Sequence, residues 1–292
     1  GVLWLLPIAA ILLGLSAVST PASSHILARV CPPRLAPFIF SVKQTGVPVG
    51  SLIGGLLLPF LLGSVIYSAT FDITIELGTY GTAFVMSLIV IVVAAALQPI
   101  RSHFDAERKP ETKLSFGDLR QTLRLVWSVP ALRDISFAAF AFGGMQALFA
   151  GFFILFLVDG LNLSEVEAGS TYAIASLSAI GARIAWGLLS STMVTPRAVM
   201  AWIGAIGGVA GLGIAQLDGD SSLFHITAVA VVYNMTAISW HGVLLAETAR
   251  LSPAEKVGAV TGGVLAFTSV AMMIYPAIFG ALLAVTDSYR WG

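Results

Sequence analysis

Eight long apolar stretches, separated by short polar connections, restrict what this chain can fold into. A helix crosses a bilayer in about 20 residues, whereas membrane β-strands alternate polar and apolar residues over about 10. Because the stretches are long and continuously apolar, the sequence predicts an all-α membrane protein with about eight transmembrane helices. The predicted spans cover residues 3–28, 37–62, 80–100, 136–158, 168–189, 195–217, 223–245 and 257–285.

The composition agrees with a membrane protein and excludes several classes of function. Hydrophobic residues make up 57% of the chain and charged residues 10%, with a formal net charge of +0, whereas soluble domains carry about 25% charged residues. A chain without a basic stripe is not expected to bind nucleic acid. One cysteine, Cys31, excludes a disulfide framework and a cysteine-based zinc site. No metalloprotease, P-loop or nucleophile-elbow pattern occurs, so we expect neither an enzyme nor a metal or other cofactor.

Basic residues are divided unequally between the two sets of connections. Twelve lie in one set and Arg290 alone lies in the other, while Lys43 and Arg183 fall inside predicted spans. Connections rich in Lys and Arg face the cytoplasm. We therefore predict a multi-pass protein of the inner (cytoplasmic) membrane, with the basic connections, including residues 101–134, on the cytoplasmic side.

Residues 101–134 form the one long polar connection between predicted spans. Within it, residues 116–127 carry apolar side chains at helical spacing with basic ones between them, which predicts a short amphipathic helix on the membrane surface. The chain is accordingly divided into a partial bundle (residues 1–100), a cytoplasmic linker (101–134) and a second bundle (135–292).

The chain also resembles itself at an offset of 216 residues. Residues 20–46 and 236–262 share eight identities over 27 positions, and His25 pairs with His241. Parallel repeats of this kind are one way in which transporters are built. Two equal halves of six spans then require three further spans before the first residue and one after the last, so we expect a fragment of a twelve-helix protein.

Three segments resemble the major facilitator superfamily. Residues 41–55 (SVKQTGVPVGSLIGG) resemble the fifth helix of many bacterial members, residues 181–190 (GARIAWGLLS) resemble the eighth helix, and residues 287–292 (DSYRWG) are similar to the segment before the last helix. The chain therefore looks like helices four to eleven of that family. The resemblance implies a six-plus-six helical bundle and secondary active transport of a small solute by alternating access, by symport or antiport, with no requirement for an oligomer.

The chain departs from the family pattern after the eighth helix. The loop that follows this helix usually carries an Asp-Arg pair, whereas Ser191 and Thr192 stand there in this chain. The resemblance therefore does not imply the usual charge network in this half.

Arg183 is the strongest candidate for substrate binding. A charge within the membrane is costly and usually faces a cavity, and a guanidinium can bind a carboxylate through two parallel hydrogen bonds. Its position four residues before Gly187 is similar to that of an anion-binding arginine in family members; the alternative is a role at the helix end. Lys43 either faces the cavity or extends to the headgroups. No acid lies deep in a span, Glu247 being at an edge, so we favour a small organic or inorganic anion, with the proton as coupling ion.

Five further polar residues are weaker candidates. Gln146, Asn234 and Tyr275 lie mid-span, where they either join helices through hydrogen bonds or contact substrate. His25 and His241 lie near predicted helix ends, where a structural role is favoured and a proton-linked role is the alternative.

Glycines and a proline mark surfaces for packing or gating. Gly46, Gly50 and Gly54 recur every fourth residue and so share one helix face, as small residues do where helices approach closely. Gly187 is assigned the same role. Pro48 can kink its helix because it removes a backbone donor.

Two other functions are compatible with these residues. The first is proton-coupled efflux of drugs or amphipathic compounds, suited by a group of aromatic residues, Phe137, Phe140, Phe142, Phe149 and Phe152. The second is a membrane sensor of the same fold that does not transport.

Overall fold

Helices make up most of the computed structural model, which describes residues 17–62, 65–68, 73–76, 78–99 and 116–291. The predicted first span therefore lies largely outside the described residues, as does the first part of the predicted linker. The helices are α1 (Ser19–Val30), α2 (Ala36–Gln44), α3 (Gly46–Leu62), α4 (Gly78–Ala96), α5 (Phe116–Ser128), α6 (Pro130–Leu155), α7 (Glu165–Thr192), α8 (Pro196–Ala215), α9 (Leu223–Ala237), α10 (His241–Leu251) and α11 (Val257–Thr286).

Five segments of the described chain are long and apolar enough to cross a membrane. They are Pro130–Gly160, Glu165–Thr192, Pro196–Ala215, Leu223–Leu251 and Ala254–Thr286. They match the five spans predicted after the linker, and α4 contains the shorter apolar segment Gly81–Ala96. The prediction of an all-α membrane protein is confirmed.

Local sequence signals explain where these helices begin. Ser164 caps α7 because its side chain accepts a hydrogen bond from the Glu167 N–H, while the Glu167 carboxylate accepts from the Ser164 N–H at 3.0 Å. This reciprocal pair is a capping box. Pro130 opens α6 six residues before the predicted start of the span, since a proline is well tolerated in the first turn of a helix.

Two predicted spans are interrupted. The span predicted at 37–62 is divided into α2 and α3 at Thr45, three residues before Pro48. The span predicted at 223–245 is divided into α9 and α10 by residues 238–240, and α10 continues to Leu251. The second break was not predicted, because Ile-Ser-Trp continues the apolar pattern without a glycine or proline.

The chain forms two compact units, residues 1–46 with 115–292 and residues 47–114. In the first, α6 packs along α11, α7 along α9, and α2 against both α7 and α10. Its central cluster includes the stacked rings of Phe142 and Trp240. In the second, a two-stranded antiparallel ribbon (β1, Val65–Ser68; β2, Ile73–Glu76) pairs Val65 with Glu76.

The predicted amphipathic helix is present as α5. Its Val126 is fully buried and lies beside Gly263 of α11, whereas Leu119 and Trp127 on the same helix are exposed. One face of α5 is therefore covered by protein. A location at the membrane surface remains a prediction, as does the division into two bundles and a linker.

The predicted repeat is wrong in its register. Both copies form a helix, a five-residue connection and a second helix, but the connections 31–35 and 252–256 are related by an offset of 221 rather than 216. His25 lies six residues before its connection and His241 eleven before its own. Five residues of helix correspond to about 7.5 Å, more than one turn, so the two histidines do not occupy equivalent positions relative to these connections.

Candidate functional site

Arg183 lies in the second half of α7 and is only 2% exposed. Its Nε and Nη2 donate to the Ile238 carbonyl at 3.2 and 2.8 Å, and its Nη1 donates to the Gln44 carbonyl. The side chain therefore caps backbone carbonyls rather than extending free into a cavity. The sequence-based interpretation of Arg183 as the residue that grips an anion loses its main support, because both breaks leave carbonyls that need donors within the membrane.

The break between α9 and α10 is held by α7 at three places. Besides Arg183, Trp186 donates from Nε1 to the Met235 carbonyl at 2.9 Å. In the opposite direction, Ser239 donates from its hydroxyl to the Ala179 carbonyl at 3.1 Å. The interruption is thus a defined structure with its own hydrogen bonds.

Lys43 lies in the last turn of α2, next to the Arg183 partner Gln44. Its Nζ is buried and has no hydrogen-bond partner among the described residues. The side chain as a whole is half-buried, so extension to the headgroups remains the alternative to a cavity role. Lys43 and Arg183 both lie within electrostatic range of His241, so three basic side chains share one neighbourhood.

The two histidines make packing contacts. His241 opens α10, and its ring stacks on Trp240 with centroids 3.7 Å apart. His25 faces α11, where a Cβ added to Gly258 would lie 3.4 Å from the His25 Cβ. Only His241 belongs to the basic neighbourhood. Neither contact tests a proton-linked role.

The mid-span polar candidates differ in their surroundings. Asn234 is fully buried, and both its side-chain oxygen and its nitrogen lack partners in the described chain; it lies one turn before Ile238 on α9. Gln146 on α6 has a buried, unpartnered Oε1. Tyr275 packs directly over Gly144 and edge-on to Phe140, with ring centroids 5.6 Å apart, which fits a packing role between α6 and α11.

The glycine contacts are only partly those predicted. A Cβ on Gly187 would lie 2.9 Å from the Pro37 carbonyl of α2, so α7 and α2 do approach closely there. A Cβ on Gly46 or Gly50 would meet no atom within 4 Å of the described structure, and the surroundings of the Gly54 side-chain position lie outside the described residues. The predicted packing face of α3 is therefore not found at its first two glycines.

A closer approach that the sequence did not indicate joins α10 to α2. A Cβ on Gly242 would lie 2.6 Å from the Ser41 backbone nitrogen. Ser191, at the position where the family motif is lost, accepts a hydrogen bond from the Phe38 N–H at 3.0 Å. The start of α2 is thus held by the end of α7 through a hydroxyl group.

A charge network does exist in this half, but with different residues. Glu247 is 1% exposed and accepts from the Arg197 Nε at 3.0 Å and from the Arg250 Nε and Nη2 at 2.6 Å. Glu247 lies near the end of the span Leu223–Leu251, as predicted, but its side chain is buried, which the sequence did not indicate. Because two arginines pair with it, this acid is not available to neutralise Arg183.

A separate cavity of about 350 Å³ lies between α6, α8, α9, α11 and the end of the chain. Of the five aromatic residues that the sequence analysis named, Phe149 and Phe152 line this cavity. Phe142 instead lies in the core, Phe140 contacts Tyr275, and Phe137 is exposed beside Trp127. Neither Arg183 nor Lys43 lines this cavity.

These features define a helical integral membrane protein with buried basic groups at two helix breaks. The family model of the Major Facilitator Superfamily matches residues 1–276, so the chain belongs to that family. It is therefore a membrane transporter of the major facilitator kind, and members of this family transport solutes rather than act as enzymes. No curated protein and no solved structure is significantly similar to the chain.

Proposed function

We propose that this protein is a secondary transporter that moves a small organic or inorganic anion by alternating access, coupled to an ion gradient. The observation that carries the proposal is the buried, unpartnered Nζ of Lys43 in the neighbourhood of Arg183. A buried cation without a partner is costly, and an anionic substrate relieves that cost when it binds.

The balance of buried charge supports an anion. Among the described residues, Arg183 and Glu247 are the charged side chains in the fully buried set. Glu247 is paired with two arginines, whereas the partners of Arg183 are neutral carbonyl groups. The neighbourhood of Arg183 and Lys43 therefore carries excess positive charge, which an anion neutralises.

The two cations have different roles in this proposal. An ammonium is a compact charge with three rotatable donors, so Lys43 contacts the anion directly. Arg183 adds long-range attraction, while three of its five N–H groups are already used on carbonyls. Asn234, buried and without side-chain partners, is the next candidate contact.

The proton is the proposed coupling ion. His241 lies within electrostatic range of both cations, so anion binding changes the electrostatic environment of its ring. His25 is the weaker candidate, because it contacts α11 away from this group. The proposal also includes an inner-membrane location with residues 101–134 in the cytoplasm, as the distribution of basic residues predicts.

A second candidate is efflux of amphipathic or aromatic compounds. The cavity favours it, since its walls are mostly apolar and aromatic, with Arg290 as the one charged residue among the lining residues. The phenylalanines that line it are Phe149, Phe152, Phe153, Phe156 and Phe279. Lys43, Arg183 and His241 do not line this cavity, however, so the two proposals use different parts of the structure.

Transport by the purified full-length protein in liposomes distinguishes these functions. Uptake would be measured for labelled small anions and for an aromatic cation, with and without an imposed proton gradient. We expect gradient-dependent uptake of at least one anion and none of the cation. Transport of the aromatic cation alone would favour efflux, and anion binding without uptake of any solute would favour the sensor.

A further inference from the structure

Two interruptions of the helical backbone lie within reach of one side chain. Arg183 donates to the carbonyls of Gln44, at the end of α2, and of Ile238, after the end of α9. These two residues are 194 positions apart, and one precedes the linker while the other follows it. In both residues, the backbone carbonyl lacks the N–H donor that it would have in a continuous helix.

Pro48 explains the bare carbonyl of Gln44. In an uninterrupted helix, the carbonyl of residue 44 accepts from the N–H of residue 48, and a proline has no N–H. The Gln44 carbonyl is therefore left for a donor from elsewhere.

The bare carbonyl of Ile238 has a different origin. Helix α10 begins at His241, and its first internal bond runs from the Leu244 N–H to the Trp240 carbonyl. The Gly242 N–H, which would bond Ile238 in a continuous helix, lies in the first turn, where N–H groups have no partner within the helix. The Ile238 carbonyl is thus open to side-chain donors, which are Arg183 through two N–H groups and the nearby ring of His241.

We propose that Arg183 is a positioning residue that replaces both missing backbone donors and so ties α2 to α7 and to the break between α9 and α10. The guanidinium suits this task because its donors diverge in a fixed plane toward two acceptors. If α2 moves away from α7, both the Gln44 carbonyl and the Arg183 Nη1 lose their partner. The contact therefore stabilises the arrangement in which α2 is packed against α7.

The proposal makes an unusual prediction about Pro48, because alanine at this position restores the missing N–H. The experiment compares the full-length parent with Arg183→Met, Pro48→Ala and the double variant, by the midpoint of thermal unfolding in detergent. An unsatisfied buried acceptor costs about 1–3 kcal/mol, so Arg183→Met should lower the midpoint by about 3 °C or more. Adding Pro48→Ala should restore at least half of that loss.

Pro276→Ala is the matched control. Pro276 lies inside α11, so its replacement also removes a proline from a span. The carbonyl that Pro276 leaves without a helical donor is that of Met272, which is not a partner of Arg183. If Arg183→Met does not fold, Arg183→Gln, which keeps two donors, takes its place in the same comparison. Restoration by Pro48→Ala and not by Pro276→Ala supports the proposal. Equal effects of the two alanine variants, or no restoration, overturn it.

This result is independent of the substrate. The measured quantity is thermal stability without substrate, so the expected pattern is the same whether the transported solute is an anion or an aromatic compound. A restored midpoint in the double variant, together with absent anion uptake by the parent protein, would contradict the proposed function alone.

Discussion

Gly242 of α10 lies against the backbone of Ser41 in α2, with 2.6 Å between the position of a Gly242 Cβ and the Ser41 nitrogen. Backbone atoms cannot move aside as a flexible side chain can, so Gly242→Ala should separate the two helices. We expect a loss of about 1–3 kcal/mol, the usual range for overpacking. Thermal unfolding in detergent measures it.

The control for this variant is Gly181→Ala in α7. A Cβ at Gly181 would meet no atom within 4 Å of the described structure, and alanine is the better helix former. Gly181→Ala should therefore leave stability unchanged or raise it. Equal stability of the two variants would mean that α2 and α10 are not in close contact.

The buried carboxylate of Glu247 should matter more than an exposed one. Glu247→Gln leaves Arg197 and Arg250 without their anion, and we expect a loss of about 1–3 kcal/mol. Both arginines are more than half exposed, and water therefore limits the loss. Asp134→Asn is the matched control, since Asp134 is 72% exposed and 4.0 Å from Arg133, where an ion pair contributes about 0–1 kcal/mol. A larger loss for Asp134→Asn than for Glu247→Gln would refute this account.

The sequence predicted the helices well and the contacts of single side chains poorly. Hydropathy located the ends of the five spans to within six residues, because a membrane helix must be apolar along its whole length. The contacts of Arg183 lie 55 and 139 residues away in the chain, and no local pattern specifies them. From the sequence, Arg183 ranks above Lys43 as an anion ligand, whereas in the structure Arg183 bonds two backbone carbonyls and the Lys43 Nζ has no partner among the described residues.

Some of these features did have a readable signal. Pro48 implies a bare carbonyl at Gln44, which in a membrane requires a donor, and Arg183 was the obvious buried donor. Gly242 had no such signal, because a single glycine without a spaced partner does not indicate which helix approaches it. The repeat failed in register because apolar sequences share identities by chance.

Cys31 provides a test of orientation. It lies between α1 and α2, and partial burial raises the pKa of its thiol above the usual range. Since the thiolate is the reactive form, labelling should be slow at pH 7. Its rate should increase about tenfold per pH unit and continue to rise above the pKa of an ordinary thiol near 8.5.

In intact cells, a membrane-permeant maleimide should label Cys31 and an impermeant one should not, because the connection is predicted to be cytoplasmic. Asp220→Cys in a Cys31→Ser background is the matched control, since the exposed residue 220 lies in a connection of the other set. The impermeant reagent should label it from outside. The opposite labelling pattern would reverse the predicted orientation.

The central claim, that Lys43 binds an anionic substrate, is tested most directly by anion uptake into liposomes that contain the full-length protein with Lys43→Ala. Lys256→Ala is the control, since this cation is exposed in the connection before α11. We predict that Lys43→Ala lowers uptake at least tenfold with little change in the midpoint of thermal unfolding, while Lys256→Ala transports as the parent does. Uptake by Lys43→Ala equal to that of the parent would contradict the claim.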